Sequence, residues 1–215
     1  MGTVTLATLR QRIRQRANME NSQFVTDSEI DGYINDSIAR LYDLIIDHRG
    51  EQYFESEQNI TLTKGTSEYD LPSDFYKVVS LEDDSGFPID TFNRRDYLHK
   101  SRHIKYNIMN NKLKFNRNDY SGNVKLWYVP LAPTLSDDAD TADFYNGWDR
   151  FVIVDAAIVC LNKEESDTSQ LERELMTLGR RIQNSSDKND HQPSKVVDVQ
   201  GFHHYGDREI YENQL

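Results

Sequence analysis

The spacing of apolar residues changes period twice along this chain of 215 residues, and that change constrains the fold more than any other feature. Helical spacing runs as far as Gly50, a period of two holds from Gln52 to Val129, and helical spacing returns from Phe151 to Ile182. A helix brings one face round every 3.6 residues and a strand every second residue, so the regimes belong to different elements.

Leu6, Leu9, Ile13 and Ala17 follow Thr3 and Thr5, either of which can cap a first turn, and predict a helix over 6–18. Thr26-Asp27-Ser28-Glu29 is a capping-box pattern. Ile30, Tyr33, Ile34, Ile38, Leu41, Tyr42 and Ile45 then keep one stripe until Gly50, predicting a second helix over 27–49. Its acids stand in the first turns and His48 and Arg49 in the last, as the helix dipole prefers.

Between 52 and 129, alternating segments separated by turn residues predict five or six short antiparallel strands, enough for a small sandwich or barrel. Asn110-Asn111 reads as a tight hairpin because Asn tolerates positive φ. Pro130 to Asp140 reads as an acidic linker. Phe151 to Leu161 is apolar nearly all round and predicts a central helix over 146–162; Leu171, Leu175, Leu178 and Ile182 form a single stripe on a fourth helix over 168–183. The short connection Asn162 to Asp167 makes these two an antiparallel pair. The expected fold class is α+β: one domain over 1–184, a four-helix bundle assembled from both chain ends with an inserted antiparallel β module, followed by an extended, flexible C-terminal arm over 185–215.

With 25 Lys and Arg against 36 Asp and Glu, the net charge is −11, which counts against a duplex-grasping protein unless charge is strongly segregated. The 12 Tyr and 9 Phe count against a disordered chain. One cysteine, Cys160, excludes an internal disulfide framework and a cysteine-based zinc cluster and fits a reducing compartment. The N-terminus lacks the pattern of a secretory signal, and the apolar run at Phe151, interrupted by Asp155, falls short of the roughly 20 residues a membrane span requires. A soluble, intracellular protein is expected.

Arg10, Arg12, Arg14 and Arg16 resemble a basic nucleic-acid helix, yet at about 100° per residue they fall on both sides of the apolar stripe. Pairing with local carboxylates or with an acidic partner surface is expected of them, and a nucleic-acid module is the competing reading. Asp83-Asp84 and Asp137-Asp138-Ala139-Asp140 lack calcium-loop spacing and read as turn carboxylates; a carboxylate-dependent hydrolase on Asp83, Asp84 or Asp138 is the enzymatic alternative. His99 and His103 have a zinc-compatible spacing without the Glu of a metalloprotease helix. No catalytic residue, metal site or cofactor is assigned. Asp155 interrupts an apolar helix and needs a partner, either an arginine such as Arg14 or Arg181 or a neighbouring subunit; with Arg10 and Arg14 it forms the candidate subunit interface. In the tail, Phe202, Tyr205, Ile210 and Tyr211 are candidate anchors for a partner.

Several segments follow one another in a set order and spacing: Leu6-x-x-Leu9, Thr26-Asp27-Ser28-Glu29-Ile30 with Ile34-Asn35-Asp36-Ser37-Ile38, Tyr69-Asp70-Leu71-Pro72-Ser73-Asp74-Phe75 and Tyr128-x-Pro130. In these the chain resembles the head-to-tail adaptor (connector, or head-completion) proteins of tailed bacteriophages, the group that includes podoviral tail tubular A-like proteins. The likeness continues through Trp148-x-Arg150-Phe151-Val152-Ile153 with Ala156-Ala157, and Glu164-Glu165-Ser166-Asp167 before the last helix, covering about residues 5–184. The resemblance implies a structural virion protein at the head-tail junction, assembled in the host cytoplasm. It implies a homo-oligomer, a dodecameric ring between the portal protein and a downstream tail or nozzle protein, with DNA passing through the channel without specific binding. It also implies that the C-terminal arm docks on the portal, through Phe202, Tyr205, Ile210 and Tyr211.

Overall fold

The computed structural model describes residues 2–93, 103–144 and 147–187. Two hydrophobic cores organise them. The first gathers α1 (Leu6–Arg16), α2 (Asp27–Arg49), α3 (Asp149–Lys163) and α4 (Ser169–Asp187). The second lies between two three-stranded antiparallel sheets.

The expected four-helix bundle is not what forms. Helices α2 and α3 pack together at the centre, α1 packs onto both, and α4 also packs onto both. Helix α1 has 11 residues against 23 in α2, and it is bridged to α4 at an edge, by the Arg16 to Glu174 ion pair, rather than packed along it. A four-helix bundle packs helices side by side along comparable lengths, and α1 spans less than half the length of α2. Here non-helical residues complete the helical core instead: Leu135, Ala142 and Phe144 are buried in it. The fold is mixed α and β, with three antiparallel sheets among the described residues.

The smallest sheet was not expected from the sequence. Strand β1 (Gly2–Thr5) pairs with β8 (Thr141–Phe144), in a register that sets Gly2 opposite Phe144 and Thr5 opposite Thr141. The stretch expected to be a linker is a strap across the helices. Leu6 N donates to the Asp140 carbonyl at 2.9 Å and Ala7 N to that of Asp138 at 3.3 Å, so first-turn amides of α1 are satisfied by the strap. The side chain of Asn35 in α2 accepts from Leu135 N at 2.9 Å and donates to the Leu135 carbonyl at 3.0 Å, completing a reciprocal clamp.

Helix α2 starts where its capping box predicts: Glu29 N donates to Thr26 Oγ1 at 3.3 Å and Thr26 N donates back to Glu29 at 2.9 Å. Helix α3 buries Phe151 through Ile158 and Cys160, as a helix apolar on nearly every face must. Helix α4 extends to Asp187, beyond the expected end.

In the β module, β7 (Gly122–Pro130) is the central strand between β2 (Ser56–Leu62) and β4 (Phe75–Asp83). Strand β6 (Lys112–Phe115) lies between β3 (Glu68–Asp70) and β5 (Tyr106–Met109). Alternation puts Leu113 and Phe115 of one sheet against Val124, Leu126 and Leu81 of the other, so each strand has an inner face. The β5–β6 connection is the two-residue turn Asn110-Asn111, with φ of 53° and 58°. Tyr76 Oη donates to Asp43 of α2 at 3.0 Å, and Lys77 pairs with Glu51, tying β4 to the helical body.

Candidate functional site

The arginines of α1 are all engaged within the chain. Arg10 grips Asp31 of α2 through Nε and Nη2, each at 2.9 Å, and reaches Asp138 of the strap with Nη1 at 3.0 Å. The Asp31 hydrogen bonds push its pKa above the ordinary arginine value. Arg14 pairs with Asp27 at 2.6 Å and donates to the carbonyls of Ser22 and Val25, both at 2.9 Å, which fixes the loop between α1 and α2. Arg12 meets Asp149 at the start of α3 at 2.7 Å, and Arg16 meets Glu174. Arg10 and Arg14 also line a polar depression of about 450 Å³ beside Glu20 and Asp27.

Asp155 is 4% exposed, and its partner is neither Arg14 nor Arg181. Arg40 of α2 supplies the cation, with Nη1 at 2.9 Å from Oδ1. Arg14 is already held by Asp27 and by loop carbonyls. The Oδ2 atom of Asp155 is buried and accepts no hydrogen bond among the described residues.

The acids of the enzymatic alternative each make a separate structural contact. Asp83 Oδ1 accepts from Ser85 N and Phe87 N, both at 2.9 Å, closing the turn after β4. Asp84 Oδ2 accepts from Asn123 N at 3.1 Å, and Asp138 takes Arg10. Asp140 Oδ2 accepts from Ser136 N and Asp137 N at 2.7 and 2.8 Å, bonds that hold its carboxyl below the usual range. No group of three His, Cys, Asp or Glu able to hold a metal is found among the described residues. His99 lies outside them. Cys160 is buried, and burial pushes its thiol up to about 11, far from the thiolate a nucleophile requires.

Two surface features were missed in the sequence. A groove of about 390 Å³ runs between α2 and α4, with Leu44, Phe151, Leu175 and Met176 as its apolar lining and Arg40 and Glu172 on its rim. Met176 is 65% exposed. Its signal was its place outside the Leu171, Leu175, Leu178, Ile182 stripe. The second feature is Phe87, 68% exposed in the turn after β4, where polar residues are the rule. Phe202, Tyr205, Ile210 and Tyr211, the expected anchors, lie outside the described residues.

The surface of the described residues thus carries a largely apolar groove and an exposed aromatic tip, over a body whose α1 arginines are paired within the chain. A family model for SU10 adaptor proteins matches residues 4–193, and the chain belongs to that family. The match accords with the resemblance to phage head-to-tail adaptors, and it gives the chain a structural adaptor role. A search of curated proteins finds no match. No helix among the described residues is long and apolar enough to cross a membrane.

Proposed function

We propose that this protein is the head-to-tail adaptor of a tailed-phage virion, assembling as a dodecameric ring between the portal protein and the next tail or nozzle protein and lining the DNA channel. The observation that carries the reading is the family match across residues 4–193, which takes in both cores. The work of such a protein is contact and geometry rather than chemistry. The charge balance supports the channel: at −11 the chain offers a translocating duplex few unpaired cations, and the arginines of α1 already neutralise carboxylates. A wall that does not hold phosphates leaves hydrated DNA free to slide.

The C-terminal arm, with Phe202, Tyr205, Ile210 and Tyr211, is the proposed portal anchor, and Asp155, Arg10 and Arg14 stand behind the faces where copies meet. Sedimentation and electron microscopy with purified portal test the whole reading: rings of adaptor on portal are expected. Persistent failure to bind portal or to form rings under assembly conditions would sink it. Truncation after Asp187 is expected to keep the thermal unfolding of the full chain while losing portal attachment.

A further inference from the structure

The turn after β4 and the groove between α2 and α4 are unlike surfaces with matching chemistry. The turn is rigid: Asp83 Oδ1 holds Ser85 N and Phe87 N, Gly86 N donates to the Asp83 carbonyl at 2.9 Å, and Gly86 takes φ of +78°. Asp84 ties it to the neighbouring β7 at Asn123. It therefore presents an exposed phenyl ring beside Glu82, Asp83 and Asp84 with little freedom left to lose on docking.

The groove offers the complement. Leu44, Phe151, Leu175 and Met176 give it an apolar lining with Arg40 and Glu172 beside them, and its volume of about 390 Å³ admits a phenyl ring. Arg173 and Arg180 stand three residues before and four after Met176, on the same helical face. Among the described residues Arg173, Arg180 and Arg181 form no salt bridge, whereas every arginine of α1 does. Arg173, whose Nε donates to the Ser169 carbonyl at 3.1 Å, and Arg180 thus place positive charge on the Met176 face of α4, with Glu172 the one carboxylate of the lining and itself bonded by Thr168.

We infer that the Phe87 tip of one copy seats in the α2/α4 groove of the next, its acids facing Arg173 and Arg180. The tip is placed for a neighbour rather than for its own groove. Strand β4 is tied to the helical body at Tyr76, and Asp83 lies seven residues further along, roughly 23 Å away at the rise of a strand. Because tip and groove are different surfaces, the contact is head-to-tail, the kind that closes into rings when the rotation permits. The inference rests on the ring assembly proposed above and names the surfaces that would make it.

Cross-linking between two substituted chains tests it. Phe87→Cys and Met176→Cys chains are mixed, at high concentration and bound to portal, and treated with a short bismaleimide; Cys160 is buried and does not compete. Mixed dimers are expected to exceed both homodimers severalfold. Phe87→Ser is expected to leave the melting temperature unchanged, since the ring is exposed, and to weaken self-association about tenfold or more by sedimentation. Homodimers as abundant as mixed dimers, absence of mixed dimers in both settings, or association indifferent to Phe87→Ser overturns the inference. Portal capture of the unsubstituted chain is measured alongside: capture without mixed cross-links rejects these surfaces alone, while loss of capture rejects the adaptor reading itself.

Discussion

Arg40 in the middle of α2 holds Asp155 in the middle of α3, Nη1 to Oδ1 at 2.9 Å, with the carboxylate buried and the arginine side chain half in water. The pair joins the two central helices at the edge of their core, beside the α2/α4 groove. Removing the cation leaves a buried charge uncompensated. Arg40→Ala is expected to destabilise the chain by at most about 3 kcal/mol, the low end for a broken buried pair because water reaches Arg40. Asp155→Asn is expected to cost less, since no charge is left behind. Urea unfolding of both variants checks the order; an Arg40→Ala chain as stable as the parent contradicts it.

Glu29 closes the capping box of α2 and also receives Lys163 of α3 at 2.6 Å. The Lys163 hydrogen bond, followed by those from the Thr26 backbone and side chain, lowers its pKa from 4.5 to about 2. A depressed carboxylate stabilises the fold fully above its unfolded value and loses that contribution as pH falls through its folded one. The loss belongs between pH 4.5 and about 2. Thermal unfolding of Glu29→Gln is expected to depend less on pH across that window, and added salt is expected to narrow the difference because the pair is exposed.

The β5–β6 turn needs two residues with positive φ, and Asn110 and Asn111 supply both. Asn111→Gly is expected to be neutral or slightly stabilising. Asn110→Val places a β-branched residue in the left-handed region, at a cost of roughly 1–2 kcal/mol. The difference in denaturant midpoint between the two variants measures it.

Cys160 is expected to resist alkylation at pH 8 in the folded chain and to react fully in denaturant, because burial holds its thiol near 11. Intact mass after timed labelling decides. Rapid labelling of the native protein contradicts the packing of α3.

How far the sequence could be read follows from how local each signal is. The capping box, the stripe of α2 and the Asn-Asn turn are written within a few consecutive residues, and each appears where it was read. The β1–β8 ribbon was invisible because two four-residue strands, far apart in the chain, are too short to show a period. A stripe says which face of a helix is buried, never against which neighbour, so periodicity reveals the four helices of the described residues but not how they pack. Asp155 carried the same ambiguity: burial demanded a cation, but only the rotation of α2 chose Arg40 over Arg14 or Arg181. Phe87 and Met176 were passed over because a single exposed apolar residue is ordinary until something beside it gives it a partner.

The two cores differ in where their residues lie along the chain. The core of the β module runs from Ile60 to Tyr128, while the helical core draws on Leu6 at one end and Ile182 at the other. During synthesis the β module can close before α3 has been made, whereas α1 and α2 must wait with apolar stripes uncovered until the later helices emerge. Ribosome-stalled chains ending near residue 165 are expected to protect the β module from protease and to leave α2 open to cleavage. The two helices that are translated first are therefore among the last elements to find their core, and until then they depend on chaperones, or on prompt completion of the chain, to stay soluble.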